Sequence, residues 1–304
     1  MTRFLKGHGT ENDFVLLPEA AELEPGAELS PLSAAQVRGL CDRHAGIGAD
    51  GVLRVVPVGV ATRAQGLVTG AARWFMDYRN ADGSVSEMCG NGARLFARFL
   101  LDAGLESATE FDLATRGGVH RVSLTPSGEI SVDMGPARLG EQSAARIGDQ
   151  PVPGVQVSMS NPHLVCIIDG AVGDLDLSVA PTVDNALFPH GVNVEFVNLV
   201  AGGPEDGTVH VAMRVHERGV GETRSCGTGA CAAAVAALAQ VGRDSGEVLV
   251  DVPGGQVRVS VTPETTVLVG PAVFVASGEI DAGWWASLSA PGSGTADPVP
   301  GPEG

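Results

Sequence analysis

The stretch SEMCGNGARLFARFLLDAG, Ser86–Gly104, sets a cysteine and two glycines around an asparagine directly ahead of an apolar, helix-spaced run. A second stretch, TRSCGTGACAAAVAALAQVG from Thr223, has the same arrangement, with Cys226 lying 137 residues after Cys89. The same offset of 137 lays PGGQVRVSVTP (Pro253–Pro263) over RGGVHRVSLTP (Arg116–Pro126). VGPA from Val269 answers MGPA from Met134 at an offset of 135, and NDFVLL at Asn12 resembles NPHLVCII at Asn161. The chain reads as a duplicated unit of roughly 135 residues.

Each unit reads as strands around one strong helix. In the first, RWFMDYRN alternates like a half-buried strand, the glycine loop follows, and Ala93 to Ala103 has helical spacing with Gly104 suited to a C-terminal cap. ATEFDLATR and HRVSLTP then read as two strands joined at Gly117-Gly118. In the second unit VHVAMRVHE, the glycine loop, an alanine-rich helix from Ala230, and GEVLVDVP with QVRVSVTP around Gly254-Gly255 repeat that order. An alanine-rich helix has little side chain on any face, so it suits a place deep inside a surrounding sheet. The expected fold is α/β (α+β): two pseudo-symmetric duplicated domains, each a curved, mostly antiparallel sheet around a central helix. Residues 1–133, completed by 272–284, form the domain carrying Cys89, and 134–271 the domain carrying Cys226. The segment 287–304 is rich in Pro, Gly and Ser, lacks apolar periodicity and is expected to be disordered.

Composition excludes several classes of function. The net charge is −17 and no basic run occurs, which argues against a nucleic-acid partner. The opening MTRFLKGHGTENDF lacks the apolar core of a signal peptide, and no uncharged apolar stretch is long enough to span a bilayer, so a cytoplasmic protein without membrane attachment is expected. Five cysteines make an odd number, against a disulfide framework. No CxxC occurs and the histidines supply no second half of a zinc site, so no metal is expected. The one lysine, Lys6, lies in a strand-like opening segment ahead of no phosphate-cradling loop, so a pyridoxal phosphate Schiff base is not expected. The expectation is chemistry without a cofactor.

Cys89 and Cys226 each stand at a helix start, where unpaired N–H groups and the helix dipole favour negative charge. A thiol there is expected to have a lowered pKa, and the adjoining glycines let a carboxylate approach the free N–H groups. Two such helices facing each other would grip one carboxylate and set a sulfur on either side of the carbon bearing it. That is the geometry for removing a proton from one face and delivering one to the other. Cys41, Cys166 and Cys231 read instead as small buried hydrophobes; Cys231 has Arg94 as its counterpart in the first unit.

GHGTENDF, RHAGIGADG, NADGSVSEMCGNGAR, SNPHLV, GVNVEFV, HERGVGETRSCGTGACA and GPAVFV together resemble the diaminopimelate epimerase family, over Met1 to about Ile280. The resemblance implies a two-domain pseudo-symmetric fold and interconversion of LL- and meso-diaminopimelate, on the way to lysine and peptidoglycan, without pyridoxal phosphate or metal. It implies that Cys89 and Cys226 are the paired acid and base, and that His163 and Glu217 support their protonation states. Asn12, Asn80, Asn161, Asn193 and Arg218 match substrate-binding positions, as do Gly90, Asn91, Gly227 and Thr228 in the two helix-start loops. Arg218 with several amides could hold the distal amino-acid end by charge-assisted hydrogen bonds. Glu217 counts in both groups.

Two departures accompany the resemblance. Gly51 stands where many relatives have a substrate-contacting glutamine, and Ala276 where relatives can have a tyrosine associated with dimer contact, which leaves a homodimer open. A proline-racemase-like enzyme is the nearest alternative, but that family favours a histidine after the first CG and an aspartate before its second motif, whereas this chain has CGNG and HERGVGETRSCGTG. A non-catalytic binding protein or redox sensor would use the cysteines without exchanging any α-hydrogen.

Overall fold

The computed structural model describes residues 2–22, 28–65, 70–159, 161–200 and 207–288. The first half of the chain forms β1 (Thr2–Gly9), β2 (Asn12–Leu17), α1 (Ala34–Cys41), β3 (Gly51–Pro57), α2 (Val58–Gln65), β4 (Trp74–Asn80), α3 (Gly90–Asp102), β5 (Glu110–Thr115), β6 (Gly118–Leu124) and β7 (Ile130–Gly135). The second half forms β8 (Arg138–Ile147), β9 (Gln150–Ser158), β10 (Pro162–Ile167), β11 (Asn193–Leu199), β12 (Val209–Glu217), β13 (Gly221–Thr223), α4 (Gly227–Gln240), β14 (Gly246–Val252), β15 (Gly255–Val261), β16 (Thr266–Gly270), β17 (Val273–Ile280) and α5 (Ala282–Ser287). Among the described residues no helix is long and apolar enough to cross a membrane.

The repeat in the sequence becomes a repeat in strand pairing. One half runs β17-β1-β2-β3-β4-β5-β6-β7, parallel at β2/β3 and β4/β5 and antiparallel elsewhere. The other runs β8-β9-β10-β11-β12-β14-β15-β16, parallel at β10/β11 and β12/β14 and antiparallel elsewhere. Each half therefore carries the same succession of eight paired strands. After Gly135-Pro136-Ala137 the chain leaves β7 and enters β8 in the other half; after Gly270-Pro271-Ala272 it leaves β16 and returns as β17 beside β1. β7 and β16 pair antiparallel, joining the halves.

Each half is wrapped about one helix. α3 buries Leu95, Phe96 and Leu100 completely, each worth roughly 1.5–3 kcal/mol relative to exposure, while Arg98 and Asp102 form an exposed pair one turn apart. α4 does the same with alanines, since Ala232, Ala233, Ala234 and Ala237 are wholly buried. Sheet backbone can approach such a helix closely. A two-residue turn in each half anchors the loop that leads into the helix: Gly117 N donates to Glu87 O at 3.0 Å, and Gly254 N to Arg224 O at 2.9 Å. The residue after each turn, Gly118 at φ +120° and Gly255 at φ +133°, needs the freedom of glycine.

The halves differ in their insertions. α1, opened by a capping box of Ser33 and Gln36, is answered between β10 and β11 by no more than a short 3-10 turn, Val172–Asp174. At the C-terminal end Ser287 is the last residue of α5, its hydroxyl donating to Trp284 O at 2.7 Å. The remainder of the segment read from sequence as disordered lies, from residue 289 on, outside the described residues.

Candidate active site

The N-termini of α3 and α4 meet. A methyl group on Gly227 would come within 3.3 Å of Gly90 Cα and 3.1 Å of Leu268 Cδ2, and one on Gly90 within 3.0 Å of Leu268 Cδ2, so the approach depends on glycine at both positions. Cys89 and Cys226 are the N-cap residues, extended at φ −143° and −124°. Each sulfur accepts from the third residue of its own helix, Gly92 N and Gly229 N, at 3.4 Å. Both helices thus aim their unpaired N–H groups and a sulfur into one region.

The expected lowering of the thiol pKa is not what the surroundings produce. Burial pushes the Cys89 thiol up to about 11, against the opposing hydrogen bond from Gly92 N. Burial, then the negative charges of Glu217 and Glu195, push Cys226 well above its ordinary value. A helix terminus acts through fractional charges, whereas desolvation removes the whole hydration of a thiolate. At neutral pH the substrate-free pair is therefore a pair of thiols. The alkylation rate of Cys89 by iodoacetamide, followed by peptide mass spectrometry, is expected to keep rising up to about pH 11; a plateau near pH 7 would contradict this.

On the Cys89 side, Asn12 opens β2 and its amide is held from both ends. Nδ2 donates to Asp50 Oδ2 at 2.8 Å, which turns Oδ1 toward the Cys89 thiol at 3.6 Å and Asn91 Nδ2 at 3.2 Å. Asp50 is itself fixed by Arg43, which also bridges to Asp13. Asn91 is 1% exposed and its amide also donates to Ser225 O at 3.1 Å, so its side chain ties the halves together. Thr10 and Glu11 form the β1–β2 turn at φ +49° and +60°, a strained conformation for a β-branched residue. That turn is wedged between the halves: Thr10 Oγ1 lies 2.7 Å from Ser225 Oγ and accepts from Arg94 Nη2 at 3.1 Å. Arg94, wholly buried, has its pKa drawn down to about 10 by burial and so stays cationic at neutral pH. Asn80 ends β4 and donates to Ser84 Oγ at 3.0 Å, within its own turn.

On the Cys226 side a hydrogen-bonded chain leads away from the sulfur. Cys226 Sγ lies 3.5 Å from Thr228 Oγ1, which accepts from Asn161 Nδ2 at 3.4 Å; Asn161 Oδ1 lies 3.1 Å from His163 Nε2, and His163 Nδ1 lies 2.6 Å from Glu195 Oε1. His163 and Glu195 are completely buried, and Glu195 Oε2 is sealed without a partner among the described residues. Gly229 makes room for the carboxylate, because a methyl group there would sit 2.8 Å from Glu195 Oε1. Glu217 ends β12 and accepts from the Thr223 hydroxyl; burial raises its pKa despite that bond. Asn193 Oδ1 accepts from Arg218 N at 2.9 Å. Gly191, at φ +76°, leaves space for the Arg218 side chain, whose Cδ would lie 3.0 Å from a methyl group there.

Around the two helix starts the structure brings together Cys89, Asn91 and Asn12 on one side and Cys226, Thr228, Asn161 and His163 on the other, and the side chains of Asn12, Asn80, Asn91, Asn161 and Asn193 all bond within the protein. It adds Glu195, Asp50 and Ser225. Glu195 had a legible signal: a carboxylate inside NVEFVNL, a run that otherwise reads as a buried strand, where an unpaired glutamate is almost never found.

The profile of the diaminopimelate epimerase family matches residues 4–140 and 155–275. A curated diaminopimelate epimerase of Rhodococcus jostii is 50% identical over 299 residues, covering 94% of this chain and 99% of the relative. One from Thermobifida fusca is 50% identical over 286 residues, covering 91% and 97%. Among solved structures, a Bacillus anthracis phenazine biosynthesis protein of the PhzF family superposes with a TM-score of 0.62 at 16% identity, covering 92% of this chain and 98% of that one. A hydroxyproline epimerase from Agrobacterium vitis superposes with a TM-score of 0.59 at 15% identity, covering 91% of each. These two likenesses are of fold.

Proposed function

The chain belongs to the diaminopimelate epimerase family, and on that footing we infer that it interconverts LL- and meso-2,6-diaminopimelate by two-base α-proton transfer, in the supply of lysine and peptidoglycan precursors. The observation that carries the mechanism is the abutment of two helix N-termini, each capped by a cysteine sulfur. The substrate carboxylate sits against the free N–H groups of Gly90, Asn91, Gly227 and Thr228, where fixed dipoles favour the charge that develops as the α-carbon is deprotonated. One sulfur, as thiolate, takes the α-hydrogen as a proton; the bonding pair passes into the carboxylate; the other sulfur, as thiol, delivers a proton to the opposite face. The cycle leaves the thiol and thiolate exchanged.

The pair must hold one proton between them, whereas burial favours two. Glu217 is the group placed to accept the second, while the chain His163–Asn161–Thr228 points its donors toward Cys226 Sγ and so favours the thiolate there. Arg218, with several of the asparagine amides, holds the distal amino-acid end by charge-assisted hydrogen bonds. In this reading the enzyme works in the cytoplasm on a small-molecule substrate, without cofactor, nucleic acid or membrane, and a homodimer remains compatible with it. Residues 1–133 with 272–284 form one domain and 134–271 the other, so that β17 completes the first and β8 the second.

Proton NMR of LL-diaminopimelate with the protein in D2O under a reducing agent tests the reading. A thiol carries one hydrogen, so the sulfur that removes the α-hydrogen keeps it while the other delivers one from solvent. Early meso product is expected to carry deuterium at the inverted carbon, and recovered LL substrate to stay almost unlabelled. Early product retaining its original α-hydrogen would rule out two monoprotic bases, and turnover of L-proline instead would rule out the substrate.

A further inference from the structure

Tyr78 is the one tyrosine of the chain. It stands on β4 with its ring in the core of the first half, 8% exposed, edge-on to Phe14 with ring centroids 5.8 Å apart. Strand alternation puts Tyr78 on the face of Asn80, and Phe14 on the face of Asn12. Both rings therefore lie one step inward from the asparagines at the Cys89 end of the site.

Gly51 makes the room for Tyr78. It faces Asn80 across the β3–β4 register, and a methyl group on it would come within 2.7 Å of Tyr78 Cε2 and 2.6 Å of Arg79 O. The ring occupies the volume that a side chain at position 51 would need. Its hydroxyl bonds to no protein group among the described residues, yet it is absent from the sealed, unpartnered polar atoms, which include Trp74 Nε1 and Asn91 Oδ1. It is therefore not sealed from solvent. Burial, with the neighbouring charges of Cys89, Glu217 and Asp50, raises its pKa well above the ordinary tyrosine value, so it keeps its proton. The charged groups that reach it include the carboxylates of Glu217 and Asp50, acceptors suited to substrate ammonium groups. A hydroxyl proton among acceptors already engaged lacks a counterpart, and a substrate carboxylate supplies one.

We propose that the Tyr78 hydroxyl is a substrate-binding donor to a carboxylate of the amino-acid substrate, in the space that Gly51 leaves open. The assignment rests on the diaminopimelate reading for its ligand. Tyr78→Phe keeps the ring packing and removes the donor, so the KM for LL-diaminopimelate is expected to rise about 10- to 100-fold, the range for a hydrogen bond to a charged group, with kcat and thermal midpoint nearly unchanged. Because the chain has a single tyrosine, incorporation of 3-fluorotyrosine gives one 19F resonance. In a Cys226→Ala background, which prevents turnover, LL-diaminopimelate is expected to shift that resonance in a saturable titration, whereas 1,5-diaminopentane, which has no carboxylate, leaves it in place. An active wild type with an unchanged KM in Tyr78→Phe, or a resonance unmoved by LL-diaminopimelate, overturns the assignment alone. A wild type inert toward LL-diaminopimelate overturns the substrate reading and this assignment with it.

Discussion

Cys89→Ala and Cys226→Ala are each expected to abolish epimerisation in both directions, with kcat falling by at least about 10³-fold, within the range that a positioned acid or base supplies. Inversion needs a proton taken from one face and one delivered to the other, so the loss does not depend on which isomer is supplied. Neither change should unfold the protein, because alanine keeps the Cβ and each sulfur contributes only a long 3.4 Å cap bond to its helix. The measurement is the initial rate from LL- and from meso-diaminopimelate, with circular dichroism as the control for folding. Activity above about a hundredth of wild type in either folded variant would remove that cysteine from the mechanism.

The second large effect is expected at Glu195, which touches no reacting atom and acts through His163 and through its charge. Glu195→Gln preserves the volume and an acceptor for His163 Nδ1 at the 2.6 Å contact, but removes the negative charge. That charge is among the causes holding the Cys226 thiol high, so the sign follows directly: a neutral residue 195 favours the Cys226 thiolate and lowers its pKa. Alkylation of Cys226 is expected to begin at lower pH than in wild type. At the same time His163 loses the carboxylate bonded to its Nδ1, and kcat is expected to fall about 10- to 100-fold with KM little changed, as for the loss of a hydrogen bond to a charged group. His163→Ala would leave Glu195 buried and unpaired, at a cost of about 3–5 kcal/mol in stability. An unchanged kcat together with an unchanged alkylation profile in Glu195→Gln would reduce the pair to a packing element.

What could be read from the sequence was what is local or repeated. Cys89 and Cys226 stand at helix starts because a sulfur-bearing extended residue, two glycines and a helix-spaced run determine a capped N-terminus within a few residues, and the 137-residue offset reports the same event twice. The hairpins at Gly117-Gly118 and Gly254-Gly255 follow from turn chemistry of the same short range. The family motifs likewise point to His163, Glu217 and Arg218 one by one. What the tertiary structure decided depends on distant neighbours. The crossing of β8 and β17 between halves sets which half each strand completes, and no stretch of either strand reports its partner. The wedge of Thr10 between Arg94 and Ser225 joins residues up to 215 positions apart. Glu195 lies beneath Gly229, and Tyr78 in the space of Gly51, through folds of the sheet. The protonation of the two thiols is of the same kind: a helix start favours the anion, but desolvation sums over every group that excludes water from the sulfur, and only the assembled core determines that sum.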